Sequence, residues 1–431
     1  MYNLSELSRH IGLFNLTMYG VGLILGAGIY VLIGEAAGFA GNALWLSFIL
    51  GAIVALFAGL SYSELAALFP KAAAEYIFVK EGFRNGFIGF IVGWLTIVTS
   101  IIVAATVALG FAGYMEELTR IPIFVSALVI IGILSAINFL GIRESALLNT
   151  IFAFVTIAGL ALVIVIGFSA PVEVEIDYFE NPMGFNGIIL AFVLVFFAFI
   201  GFEDMANVSE EVKKPQKTIP RGIMISVLIT AIIYILVSLA SIRVVGWEQL
   251  SNSSAPLAFV AQQRLGEQGG FVLSVIALFA TASTILITLV AGARIFYGMA
   301  KDGSLPSKLG IIHSKTKTPW IAVILIFATS CGFVFVGDIV IVANIVVFAV
   351  VVTFAMINAS VILLRYTRPD LQRPFKVPGN VGKFPVLPLF GLGATIYMAL
   401  QFEIEIILSG VGIVIVGAVF YFVYNKSRHE G

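Results

Sequence analysis

The sequence is short of charge, cysteine, histidine and long polar segments. Lys and Arg number 24 and Asp and Glu 24, together 11% of 431 residues, where soluble domains carry about 25%. That excludes an ordinary soluble globular protein. The single cysteine, Cys331, excludes an intramolecular disulfide and a cysteine metal cluster. His10, His313 and His429 all fall in polar flanks, so no histidine is placed to relay protons inside a membrane. No Walker A or HExxH pattern occurs, which disfavours ATP-driven pumping and zinc proteolysis. Polar stretches are too short to fold alone, so the chain reads as a single domain over 1–431, with no separate unit for catalysis or nucleic-acid binding. Met1 to His10 is polar and the first apolar run exceeds a signal peptide's, which implies that the first helix is retained.

What is present is apolar. Sixty per cent of residues are hydrophobic and the mean hydropathy is +1.08. Windows of about 20 apolar residues, each long enough to cross ~30 Å of hydrocarbon as a helix, predict an all-α, multi-pass membrane protein. Twelve such spans are expected, near 12–36, 42–68, 86–114, 122–141, 146–168, 186–209, 221–246, 270–299, 320–336, 338–364, 385–402 and 404–424. With the N-terminus inside, every Lys and Arg except Arg120, Arg243 and Arg264 falls on one side. The loop with Glu173, Glu175, Asp177 and Glu180 falls on the other. Basic loops face the cytoplasm, so both termini are expected there, in the cell membrane.

Within span 1 the stretch LGAGIY, Leu25 to Tyr30, places two glycines in mid-membrane, and FAFIG, Phe197 to Gly201, lies at a similar depth in span 6. Span 1 runs outward and span 6 inward, the relation expected of inverted repeats. A break frees backbone groups that lipid cannot satisfy, so it must face protein, water or a ligand. Beyond Gly26 and Gly28, the amides of Ala27, Gly28 and Ile29 open a half-helix at its positive end, suited to a carboxylate. Carbonyls such as that of Ile24 suit an ammonium, and Phe197, Ala198 and Ile200 offer a matching set. The plainer alternative is that Gly20, Gly22, Gly26 and Gly28 only let helices pack closely.

GAGIY at 26–30, FFAFIGFEDMANVSEEVKKPQKTIPRGI at 196–223, RIFYGMAKDGSLP at 294–306 and LLRYTRPDLQRPFKVPG at 363–379 together resemble the amino acid-polyamine-organocation transporter superfamily over nearly the whole chain. The resemblance implies the fold of the sodium-coupled leucine transporter: spans 1–5 (12–168) and 6–10 (186–364) as inverted repeats, with spans 11 and 12 (385–424) accessory. It also implies that the substrate's carboxylate meets the amides of Ala27 and Gly28. The amino group would meet carbonyls of Ile24, Phe197, Ala198 and Ile200, with Phe197 at the aromatic gate position.

The chain is similar to the cationic amino acid transporter branch but carries Thr99 where that branch has Glu in span 3, so the site is expected to be uncharged and the substrate neutral and apolar. Proton-coupled relatives carry Lys at the position of Thr156. Thr156 with Ser283 and Thr284 offers neutral oxygens instead, suited to sodium, or else to interhelical hydrogen bonding; proton symport and exchange remain open. No other cofactor is expected. Glu203 and Asp204, with Glu64, Glu75, Glu144 and Asp302 at similar depth, are read as solvated helix ends, gate salt bridges with Arg84, Arg143 or Arg294 being the alternative. The function expected is secondary amino acid transport by alternating access; a membrane channel or an amino acid-sensing receptor is the rival.

Overall fold

The computed structural model describes residues 7, 9–169, 176–253, 255–335 and 339–429. Glu173 and Glu175 and the side chains of Arg428 and His429 lie outside the described residues. Span 1 is two helices, α1 (Leu13–Ile24) and α2 (Ala27–Ala40). Span 2 is α3 (Leu44–Leu68), and a short helix, α4 (Ala74–Phe83), follows it. Spans 3 to 5 are α5 (Gly86–Thr119), α6 (Ile123–Leu140) and α7 (Ile142–Ser169). Span 6 starts as α8 (Gly184–Val195), passes through a 3-10 turn at Phe196–Phe199 and ends in the one-turn α9 (Asp204–Asn207). Spans 7 to 10 are α10 (Pro215–Ser251), α11 (Pro256–Lys301), α12 (Trp320–Phe333) and α13 (Ile339–Thr367). A small hairpin of β1 (Asn380–Val381) and β2 (Phe384–Pro385) leads to α14 (Val386–Ala399) and α15 (Ile404–His429), spans 11 and 12.

Among the described residues, ten helical stretches are long and apolar enough to cross a membrane, and the shorter apolar α12 and α14 complete the twelve. Their outer faces carry bare hydrocarbon: Ile133, Leu147, Phe154, Ile415, Val419 and Phe422 are all exposed. A patch of that extent is untenable in water; against lipid it is the solvated surface. Local signals set the ends. Asn85 caps α5, accepting from the amides of Phe87 (2.9 Å) and Ile88 (3.2 Å), and Pro215 opens α10 where its missing N–H costs nothing.

Two departures from the expected layout are clear. α4 occupies what reads as a loop, because AEYIFVKEGF is too short and too charged to register as a span. The link 246–269 is largely helical: Gly246 (φ 69°) and Gly266 (φ 72°) turn the chain sharply, and helix continues beyond each. Both are left-handed values that glycine adopts without strain.

The end of the bundle that holds both termini is tied by ion pairs, most of them buried. Glu64 accepts from Arg365 Nε (2.9 Å) and Nη2 (2.6 Å), Arg373 Nε (3.1 Å) and the Val377 amide (2.8 Å), fastening the chain after α13 to α3. Arg294, 0% exposed, pairs with Glu211, 1% exposed, and donates to Asn138 Oδ1 at 2.7 Å. Asp302 pairs with Lys80 and accepts from Tyr76. Glu64 is therefore no solvated helix end, and its partners are Arg365 and Arg373 instead of the basic residues expected; Glu144 is exposed as expected. Beside these, the amides of His10 and Ile11 share the Glu211 carbonyl (3.0 Å each), and the Lys213 amide returns to Ile11 O at 2.8 Å.

Candidate functional site

Span 1 leaves helical geometry at Leu25 and Gly26. The Leu25 amide still reaches Val21 O (2.9 Å), the Gly26 amide turns to Leu23 O (3.2 Å), and α2 begins at Ala27 with no side-chain cap. Its first amides, those of Ala27 and Gly28, thus point outward uncapped from a positive dipole end. Span 6 breaks at the matching place: after the 3-10 turn, Ile200 is extended and Gly201 takes φ 126°. A Cβ on Gly201 would lie 2.5 Å from Leu23 Cγ, and one on Gly28 2.5 Å from Ala198 Cα. The two breaks touch, and only glycine fits at either contact. Gly20 and Gly22 serve close packing, against Met205 and Ser226, and against Asn149 and Ser283, so breaking and packing coexist in one helix.

Between the breaks lies a cavity of about 50 Å³, room for roughly four waters at ~10–15 Å³ each. Ile24, Ala27, Gly28, Thr99, Phe197, Ala198 and Ile200 line it. Gly26 stands behind, where a Cβ would overlap the Thr284 hydroxyl. The wall facing α5, α11 and α13 adds Thr96, Ser100, Thr288 and Thr353, more hydroxyls than an apolar side chain requires.

The site is not free of ionisable groups. Its floor, toward the end with the termini, carries Glu75, Glu203 and Asp204 beside Tyr62. Reading these carboxyls as solvated helix ends fails because α4 folds back over the end of span 6: Asn207 Oδ1 accepts from the Ala74 amide (2.8 Å) and its Nδ2 donates to Glu75 Oε2 (3.0 Å). The three are 1%, 6% and 8% exposed. Burial pushes the Glu75 carboxyl up from 4.5 to about 7, against the lowering effect of its hydrogen bonds, that from Asn207 among them.

The proposed sodium ligands are only partly assembled. Ser283 Oγ donates to Gly22 O (2.9 Å) and lies 2.5 Å from Asn149 Oδ1, while Thr284 Oγ1 is 3.4 Å from both Leu23 O and Ala280 O. Thr156 donates to Phe152 O of its own helix at 2.9 Å. Asn149, on the same helix, donates through Nδ2 to Met18 O of α1 at 3.2 Å, ahead of the break.

Tyr234 is the residue the sequence reading misses. It stands midway along α10, fully buried, with its ring against Phe48 and Phe199, and its hydroxyl touches Ala198 O (2.9 Å) and, more closely, Ile24 O. Both carbonyls were expected to face an ammonium. One phenolic proton cannot fully serve two acceptors, so the pair keeps capacity for a further donor. The signal available was a tyrosine in an otherwise apolar window, which must find a partner for its hydroxyl when buried.

Residues 11–427 match a family profile described as amino acid permease. The chain is 31% identical to the branched-chain amino acid permease BcaP of Bacillus subtilis, across 99% of this chain and 95% of that protein. It is 30% identical to the methylthioribose transporter of the same bacterium, across 98% and 95%. Cationic amino acid transporter 4 of Homo sapiens is 29% identical, across 89% of this chain and 63% of the relative.

Proposed function

Because the chain belongs to the amino acid permease family, we propose that this transporter carries neutral amino acids by alternating access, gripping the substrate between the two helix breaks. The contact of Gly28 with Ala198 across a cavity lined by uncapped amides and half-served carbonyls carries this reading. The carboxylate meets the amides of Ala27 and Gly28; the ammonium meets the carbonyls of Ile24 and Ala198. The Phe197 carbonyl already accepts from the Ile200 amide at 3.2 Å, so it contributes less. Thr99, with Thr288 and Thr353, faces the substrate side chain, and these hydroxyls extend the range from apolar to small polar side chains. The wide cover of BcaP supports a neutral substrate. A cationic side chain is the second reading, favoured by the carboxyls on the cavity floor.

Spans 1–5 and 6–10 form the two inverted repeats, and the basic end with both termini faces the cytoplasm. Transport is coupled to a monovalent cation. The sodium candidate is the niche of Ser283, Thr284 and the nearby span 1 carbonyls, with Asn149 in the place expected of Thr156. Purified protein in detergent, screened with each amino acid for thermal stabilisation, identifies the substrate, since a ligand of the folded state raises stability. Counterflow in liposomes separates a carrier from a channel or a receptor, and uptake under separately imposed sodium and pH gradients decides the coupling ion. No stabilisation by any amino acid and no counterflow would refute the proposal.

A further inference from the structure

We propose that Glu75, Glu203 and Asp204, with the Tyr62 hydroxyl, form a proton-binding site on the floor of the transport cavity that loads and empties with each cycle. The inference rests on the transport reading above and names the coupling ion and its seat.

The three carboxyls come from two elements, the first turn of α4 and the end of span 6, yet face one cavity. None of the five ion pairs among the described residues includes any of them. Three buried like charges in one low-dielectric chamber cannot all be ionised, so at least one proton belongs to the cluster. Two further polar atoms, Glu75 Oε1 and the Tyr62 hydroxyl, are buried at the cluster without a hydrogen bond of good geometry, and the phenol faces the Glu75 carboxyl. Tyr62 is held edge-on by Phe78, Phe202 and Phe354, so its hydroxyl cannot swing away to find one. A neutral carboxylic acid there can accept from the phenol and donate its proton to a neighbouring carboxylate.

The neighbours do not offer a counter-charge. α1 presents Tyr19 to Asp204. α5 and α13 present the hydroxyls of Thr96, Ser100 and Thr353, while Gly222 and Ser226 of α10 pack against Met205 and α1. α11 presents Thr284 and Thr288, and its Arg294 is already held by Glu211. On α4 itself Tyr76 and Lys80 are engaged by Asp302.

Coupling to the substrate follows from one bond: Glu203 Oε2 accepts from the Gly201 amide at 2.8 Å, within the span 6 break. A carboxylate holds that amide more strongly than its neutral acid does. The proton taken from water by the cluster therefore slackens the backbone beside the substrate, and its release restores the grip.

The test uses the full chain in liposomes, with a radiolabelled mixture of all the protein amino acids as probe. Exchange without a gradient reads transport alone; accumulation under an imposed pH difference reads the proton, up to about tenfold per pH unit for one proton per substrate. Glu75→Gln is expected to lose accumulation out of proportion to any fall in exchange, and Glu75→Asp to recover it with a shifted pH profile. An infrared titration in detergent, which needs no substrate, should show a protonated carboxyl band titrating near neutrality that Glu75→Gln diminishes. Exchange that ignores a pH difference, full accumulation by Glu75→Gln, or no such band would each overturn the proposal. Failure of exchange with the band present would refute transport and the coupling role resting on it, while leaving proton binding supported. Glu203→Gln serves as a second variant should Glu75→Gln fail to fold.

Discussion

Replacing Tyr234 by Phe removes one oxygen and leaves the ring among Phe48 and Phe199 undisturbed. Two buried carbonyls, Ile24 O and Ala198 O, then lose their shared donor. An unsatisfied buried acceptor costs ~1–3 kcal/mol, and because one proton was divided between two acceptors, the total is expected near the middle of that range, about 2 kcal/mol. With an unfolding entropy of ~2.1 cal/mol/K per residue, this corresponds to a Tm lower by roughly 2 °C for a chain of 431 residues. Helices that persist in detergent reduce that entropy and enlarge the shift. The assay is thermal unfolding of purified protein with and without substrate. An ammonium brings three donors and can serve both carbonyls, so saturating substrate should narrow the deficit of Tyr234→Phe. An unchanged Tm without ligand, or a deficit that substrate leaves untouched, would refute the account of the site as two half-served carbonyls awaiting an ammonium.

Gly28→Val should abolish stabilisation by substrate while the protein still elutes as a single species, because a Cβ 2.5 Å from Ala198 Cα forces the breaks apart at ~1–3 kcal/mol; retained ligand stabilisation would contradict this. Glu75 holds its proton to about pH 7 when folded, against an ordinary 4.5. The stability this carboxyl contributes is therefore fully present below about pH 4.5 and lost as the pH rises through about 7. Glu75→Gln should flatten that part of the Tm profile and, in alkaline buffer, exceed the parent by on the order of 3 kcal/mol. Glu64→Gln leaves Arg365 and Arg373 buried without their carboxylate and should cost ~3–5 kcal/mol, seen as a lower Tm; an unaltered Tm would mean that the pairing contributes little.

Much of the architecture was legible because lipid makes backbone satisfaction a local problem: an apolar window of span length has one solution. Both helix breaks were legible for the same reason, since Gly26, Gly28 and Gly201 are conspicuous where a helix should be continuous. α4 was not, because ten residues carrying Glu75, Lys80 and Glu81 look like a loop until tertiary packing buries one face. The depth of Glu75, Glu203 and Asp204 was misjudged because distance along the chain says nothing about what folds over a helix end. Thr156 and Asn149 share α7, separated by seven residues, so they lie about two turns apart on nearly the same face, and which part of α1 each meets depends on axial depth, a quantity invisible in composition. Tyr234 lacked a sequence signal sharp enough to single out its two partners.

Glu211 holds two things at once: its backbone oxygen takes the amides of His10 and Ile11, and its side chain takes Arg294. The backbone at His10 and Ile11 is thereby a hasp over the door at that end of the bundle. On the alternating-access reading, opening the door would unfasten the hasp and strain the hinge pin on α11 in one movement, so the two events would share a single energetic threshold. A chain trimmed through Ile11 would keep the pin but lose the hasp, and its door would stand ajar more of the time.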